Sequence, residues 1–125
     1  MGDLVNIRIS SDADKIAVLL KEKYYFPTNT AVYRFAMAYA MKNYKEELMS
    51  NYEHLNNEYP SDGTNLNVGT VDTSEHLLKQ LVQIIAPNCI TPYRFIRVAI
   101  IMGLYKIKEM IDSGEHIDVV QHILS

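Results

Sequence analysis

Arg8 stands two residues after Asn6 and two before Ser10 in the stretch LVNIRIS, the first place in the chain where side chains suited to one task share a face. Alternate residues of an extended strand point the same way. Asn6, Arg8 and Ser10 are therefore expected to look outward and Val5, Ile7 and Ile9 inward. Amide and guanidinium groups on a paired two-stranded ribbon match the donor and acceptor pattern of base edges in a major groove. A solvated strand face carries the same residue types, so both readings stay open.

Three further arginines fall where helices are expected to begin. Arg34 lies in the segment YRFAMAYAMKNYKEEL, and Arg94 and Arg97 lie in YRFIRVAIIMGLYKIKEMI. The first turn of a helix offers unpaired backbone N–H groups and the positive end of the dipole, which together hold phosphate. A cation placed there is unfavourable unless an anion offsets it, so Arg34, Arg94 and Arg97 are candidate phosphate contacts, with Thr28 and Thr30 beside the first of them. A salt bridge to a nearby carboxylate is the competing explanation.

The chain supplies little for catalysis. His54, His76, His116 and His122 have no spacing that puts two on one helix face, so no metal site is expected. The single cysteine, Cys89, excludes an intramolecular disulfide and has no His or Asp near it in sequence to activate a thiol. Asp62-Gly63-Thr64-Asn65 is a turn signal and not a phosphate loop. No cofactor is expected, and the chain is expected not to be an enzyme.

The elements that would position these residues come twice. A strand over LVNIRIS leads to a helix capped at Ser11 or Asp12, with Ile16, Leu19 and Leu20 at helical spacing, which must end before Pro27. Thr28, Asn29 and Thr30 offer caps for a second helix running to Leu48 or beyond. At an offset of sixty, Asp12, Pro27, Tyr33, Arg34 and Phe35 recur as Asp72, Pro87, Tyr93, Arg94 and Phe95. The second copy has a weaker strand around Leu66, Val68 and Val71. It continues with a helix from Thr73 or Ser74 whose apolar face is Leu77, Leu78, Leu81, Val82 and Ile85. A long helix capped by Thr91 with Pro92 in its first turn, ended by Ser113 and Gly114, completes it, and Ile117–Leu124 is expected to add a short terminal helix. The predicted organisation is one mainly α compact domain: a strand-helix-helix unit over 1–49, an acidic connector over 50–65, and a second such unit over 66–125, packed around a shared helical core.

The long helix is apolar almost all round, which only a central position or a subunit contact can satisfy. Phe95, Val98, Ile101, Met102 and Leu104 are its candidate core or homo-oligomer interface. The chain of 125 residues carries a net charge of −3, distributed as +1 over residues 1–48, −5 over 49–75, +4 over 76–110 and −3 over 111–125. That argues mildly against a nucleic-acid partner by total, while leaving both units neutral to basic. Apolar runs are broken by Arg97, Lys106 and Lys108 and the start lacks a signal-peptide pattern, so a soluble cytoplasmic protein without a membrane partner is expected.

The order strand, helix, turn, helix with an outward arginine on the strand resembles the ribbon-helix-helix DNA-binding proteins over residues 4–48. The second unit keeps the two helices and lacks a basic residue on its strand. IRIS followed by an amphipathic helix, the turn YYFPTNTAVYRFAMAYAM, and ITPYRFIRVAIIMGL are also similar to the DndE-like small proteins of bacterial DNA phosphorothioation and phage-defence systems. These resemblances imply a helical, oligomeric, non-enzymatic accessory or regulator that contacts DNA. A protein-interaction scaffold subunit of a defence complex, without DNA contact, is the alternative.

Overall fold

The computed structural model describes residues 3–4, 6–72 and 75–114. Strand β1 (Asn6–Arg8) leads into helix α1 (Ser11–Tyr24), followed by α2 (Asn29–Asn43) and α3 (Lys45–Glu58). Strand β2 (Asn65–Asn67), the single turn α4 (Val68–Val71), α5 (Leu77–Ile85) and α6 (Pro92–Asp112) complete the order. The fold is mainly helical with one two-stranded antiparallel sheet, in which Asn6 faces Asn67, Ile7 faces Leu66 and Arg8 faces Asn65.

The alternation read in LVNIRIS is real: Ile7 and Ile9 are fully buried while Asn6 and Arg8 are exposed. Ser10 departs from it. Its backbone leaves the strand and its hydroxyl caps α1, accepting from Ala13 N at 3.1 Å and sharing a 2.6 Å hydrogen bond with Tyr105 Oη. Ser11 and Asp12, the expected caps, are already in the helix. Ser11 gives its N–H and hydroxyl to the Asp62 carboxylate, and the Ser11 N–H is the main cause holding that carboxyl below its usual pKa.

Helix α1 stops at Tyr24 ahead of Pro27, and Thr28 caps α2 through its Oγ1, which accepts from Ala31 N at 3.1 Å. Two expectations are overturned between 44 and 71. The acidic connector over 50–65 is for the most part helix: α2 breaks at Tyr44, and α3 runs on to Glu58 with Leu48 and Tyr52 buried against α6. Leu48, Tyr52 and Leu55 recur at helical spacing, and the Asn- and Glu-rich residues between them form the solvent face. The second strand is shorter than Leu66 to Val71, because Asn67 caps a helical turn through Gly69 N and carries Val68–Val71 out of the extended state.

Helix α5 begins at Leu77, later than the expected Thr73 or Ser74, which lie outside the described residues, as does the expected terminal helix over Ile117–Leu124. Asp72 caps it, accepting from Leu78 N at 2.8 Å and Lys79 N at 3.3 Å, and also accepts a hydrogen bond from the Tyr93 hydroxyl at 2.8 Å. His76 Nδ1 lies 3.1 Å from Tyr93 Oη. Because Tyr93 gives its hydrogen to Asp72, His76 must be the donor in that second contact. Burial, with Asp72 second, pushes the Tyr93 pKa up to about 12; burial, with Asp14 second, does the same at Tyr33 in the first half.

The core is built on α6. Phe95, Val98, Ile101 and Leu104 are fully buried and Met102 nearly so, among α1, α2, α3, α5 and β1 of the same chain. These five side chains are therefore core, and a second copy is not needed to cover them. Helices α2 and α6 share the most extensive helix contact, at a crossing so close that a Cβ on Gly103 would stand 2.0 Å from Ala36 O.

Candidate nucleic-acid interface

Pairing of β1 with β2 makes a ribbon with two unlike faces. Ile7 and Leu66 oppose each other on the face turned to the core, with Ile7 fully buried and Leu66 partly so. Asn6, Arg8, Asn65 and Asn67 occupy the opposite face, all exposed. Asn65 and Asn67 are the residues that sequence reasoning missed. Their signal was present: Asn65-Leu66-Asn67 repeats the polar-apolar-polar pattern of Asn6-Ile7-Arg8 at an offset of fifty-nine. The helices recur at sixty, so the one-residue slip kept the two strands from aligning.

The ribbon is braced from one side by the turn at Asp62–Thr64. Ile9 N donates to Thr64 O at 3.0 Å and Gly63 N to Ile9 O at 2.8 Å, while Arg8 Nη1 reaches Gly63 O at 3.2 Å. Gly63 is tight here, since a Cβ would lie 2.6 Å from Ile9 O and 2.7 Å from the Ser10 carbonyl carbon.

The expected phosphate anchors are placed differently from one another. Thr28 uses its oxygen as the α2 cap, and Thr30 is half-buried in the first turn of that helix. Arg34 is exposed but directs its guanidinium within the chain, to Val71 O at 3.0 Å and Thr70 O at 3.4 Å, closing the end of α4. At the start of α6 the anion is internal: the Asp3 carboxylate accepts from Tyr93 N at 2.8 Å and Arg94 N at 3.1 Å. That carboxylate satisfies the free N–H groups and offsets the unfavourable cation at Arg94, so the first turn of α6 is not an open phosphate seat.

Arg97 is a correction of another kind, being only 3% exposed. Its Nε donates to Arg8 O at 2.7 Å, Nη1 to Asn56 O and Oδ1 at 2.9 and 3.1 Å, and Nη2 to Tyr59 O, Pro60 O and Ser61 Oγ at 3.0 Å each. One guanidinium thus ties β1, the end of α3 and the loop before β2 to α6. Burial lowers its pKa from the ordinary guanidinium value, partly countered by Tyr105 and Tyr59, and a guanidinium in a protein stays protonated.

Two hollows adjoin these elements. A cavity of about 110 Å³ opens beside β1, lined by Leu4, Asn6, Arg8, Asn56, Ser61 and Arg97. A larger one of about 210 Å³, between α3 and the α5–α6 turn, is lined chiefly by Met49, Tyr52, Pro87, Cys89 and Phe95. Burial pushes the Tyr52 pKa up to about 12, with Cys89 contributing, and the Tyr52 hydroxyl lies 3.0 Å from Thr91 Oγ1.

Among the described residues no group of three His, Cys, Asp or Glu side chains could hold a metal ion, and no helix is long and apolar enough to cross a membrane. Comparisons with protein-family models, curated proteins and solved structures return no match.

Proposed function

We propose that the chain is a non-enzymatic DNA-binding accessory protein that sets the polar face of its ribbon into the major groove. The observation that carries this reading is the four-residue face Asn6, Arg8, Asn65 and Asn67 on an antiparallel pair whose other face is anchored in the core. A major groove about 12 Å wide admits two strands about 4.8 Å apart. Asparagine pairs bidentately with adenine and arginine with guanine, so the face is made of the side chains that discriminate bases.

The arrangement supports a ribbon-helix-helix organisation folded within one chain. The strand of each half pairs with that of the other, and the second long helix of each half, α2 and α6, packs against its counterpart. A cytoplasmic role in a DNA-modification or phage-defence system extends this reading on the sequence likeness alone. A homo-oligomer would have to form through surface other than the buried face of α6.

A mobility-shift titration on duplex DNA at two salt concentrations tests the proposal. Binding weakens as salt rises; Asn65→Ala weakens it by roughly tenfold to a hundredfold, the worth of one bidentate base contact, and Arg8→Ala weakens it by the loss of a charge-assisted contact, to a base edge or to a phosphate. No shift at low salt refutes it.

A second reading, a protein-interaction scaffold without DNA contact, is favoured by α5. Leu77 is 53% and Ile84 77% exposed, and with Leu81 they form an outward apolar stripe. Under that reading Ile84→Glu abolishes partner binding and Arg8→Ala leaves it intact.

A further inference from the structure

We propose that the cavity beside β1 is a binding site for one tetrahedral oxyanion, a phosphate group, with Arg8 as its contacting cation and the buried Arg97 as a fixed positive charge in its wall. Identifying that group as a backbone phosphodiester of DNA rests on the ribbon reading above; the site itself does not.

The polar lining of the cavity is made of donors. Arg97 is encircled by six acceptors, all of them neutral: four backbone carbonyls, Asn56 Oδ1 and Ser61 Oγ. Among the described residues that line the cavity, none is a carboxylate. Asp62, next in sequence to Ser61, has its carboxylate turned to Ser11. A buried charge is ordinarily paired, and this one faces a hollow with no anion-bearing side chain among the described residues.

The clamp also decides what its neighbours can offer. Asn56 Oδ1 accepts from Arg97, which fixes the amide orientation and leaves its Nδ2 hydrogens to donate elsewhere. Ser61 Oγ accepts from Arg97 too, so its hydroxyl hydrogen remains available. Arg8 uses one N–H on Gly63 O, and a guanidinium has five. Asn6 adds a side-chain amide at the rim. Four groups with hydrogens to give and two positive charges surround about 110 Å³, room for roughly three or four waters at their liquid volume, the scale of one oxyanion and not of a nucleoside. Charge-assisted bonds from a guanidinium to phosphate oxygens are the strong kind.

The test is a protein-observed NMR titration with inorganic phosphate at constant ionic strength, against chloride alone. Saturable shifts at Arg8, Asn56 and Ser61 are expected, weakened roughly tenfold in Arg8→Gln, the loss of one charge-assisted contact, and less in Ser61→Ala. Lys45→Gln removes an equal charge at the far end of α3, roughly 16 Å along the helix, and leaves the titration within about twofold. Circular dichroism confirms that each variant is folded. Absence of saturable shifts in the wild type, or equal weakening in Lys45→Gln and Arg8→Gln, overturns the site. Duplex DNA then separates the sources. Competition by phosphate beyond that of chloride supports a backbone phosphodiester in the cavity. Binding of phosphate without competition overturns that assignment and supports a free-phosphate site. A duplex that binds while phosphate does not overturns the cavity proposal and leaves the ribbon reading standing; phosphate binding without duplex binding does the reverse.

Discussion

Replacing Arg97 with alanine removes the five guanidinium N–H groups that tie α6 to β1, to the end of α3 and to the start of the loop before β2. Six acceptors at 2.7 to 3.1 Å lose their donor at once, four of them backbone carbonyls spread over β1, α3 and the loop. A hydrogen bond from a charged donor contributes about 1.5–3 kcal/mol net, but the buried guanidinium also carries a desolvation cost of several kcal/mol. The two terms partly offset; no charge is left behind, but each carbonyl that loses its donor and is not reached by water costs about 1–3 kcal/mol, so a net loss of about 3–5 kcal/mol is expected. For a domain stable by roughly 5–15 kcal/mol this is a large fraction. With a urea slope near 2 kcal/mol/M, the unfolding midpoint should fall by roughly 2 M. Arg97→Lys recovers less than half, because an ammonium has three donors and no planar fork. Urea unfolding followed by circular dichroism measures both. A loss below about 1 kcal/mol, the scale of an exposed substitution, would refute the description of Arg97 as the tie between α6 and the ribbon.

Gly103→Ala puts a methyl group where Ala36 O already stands, 2.0 Å away, so α2 and α6 must separate. Overpacking of about 1–3 kcal/mol or more exceeds the roughly 1 kcal/mol gained in helix propensity, and thermal unfolding should move down by about 5–10 °C. Asp3→Ala uncaps α6 and should cost about 1–2 kcal/mol in denaturant titration; an unchanged midpoint would mean the Tyr93 and Arg94 N–H groups find other acceptors. Tyr33, Tyr52, Tyr59 and Tyr93 have folded-state pKa values raised from 10.0 to about 12, in each case chiefly by burial. Folding therefore favours the protonated phenol: this contribution is intact below pH 10 and is lost as pH rises toward about 12. Stability measured across that window should fall steadily, and tyrosinate absorbance from these four groups should appear late in the titration.

Where local rules act alone, the elements were legible. Pro27 and Pro87 mark the ends of α1 and α5, Thr28 caps α2, and Pro92 opens α6 at the expected residue. The long helix is central, as its all-round apolar surface requires. Long-range partners were not legible. Arg97 looks from sequence like a first-turn phosphate contact, and only the fold brings it to carbonyls thirty-seven or more residues away. Asp3 caps a helix ninety residues on. Helix α3 was hidden because its buried stripe is narrow and its solvent face is rich in Asn and Glu, a composition shared with loops. The ribbon was half legible: Asn6 and Arg8 stood out through their alternation, whereas Asn65 and Asn67 gain meaning only from the register that sets them opposite.

If the ribbon enters the major groove, addition of duplex DNA shifts the backbone amides of Asn6, Ile7, Arg8, Leu66 and Asn67 on the ribbon and of the adjoining Asn56 and Ser61, and the shifts weaken as salt is raised. Shifts confined to the apolar stripe of α5, or none on the ribbon at low salt, would contradict that placement.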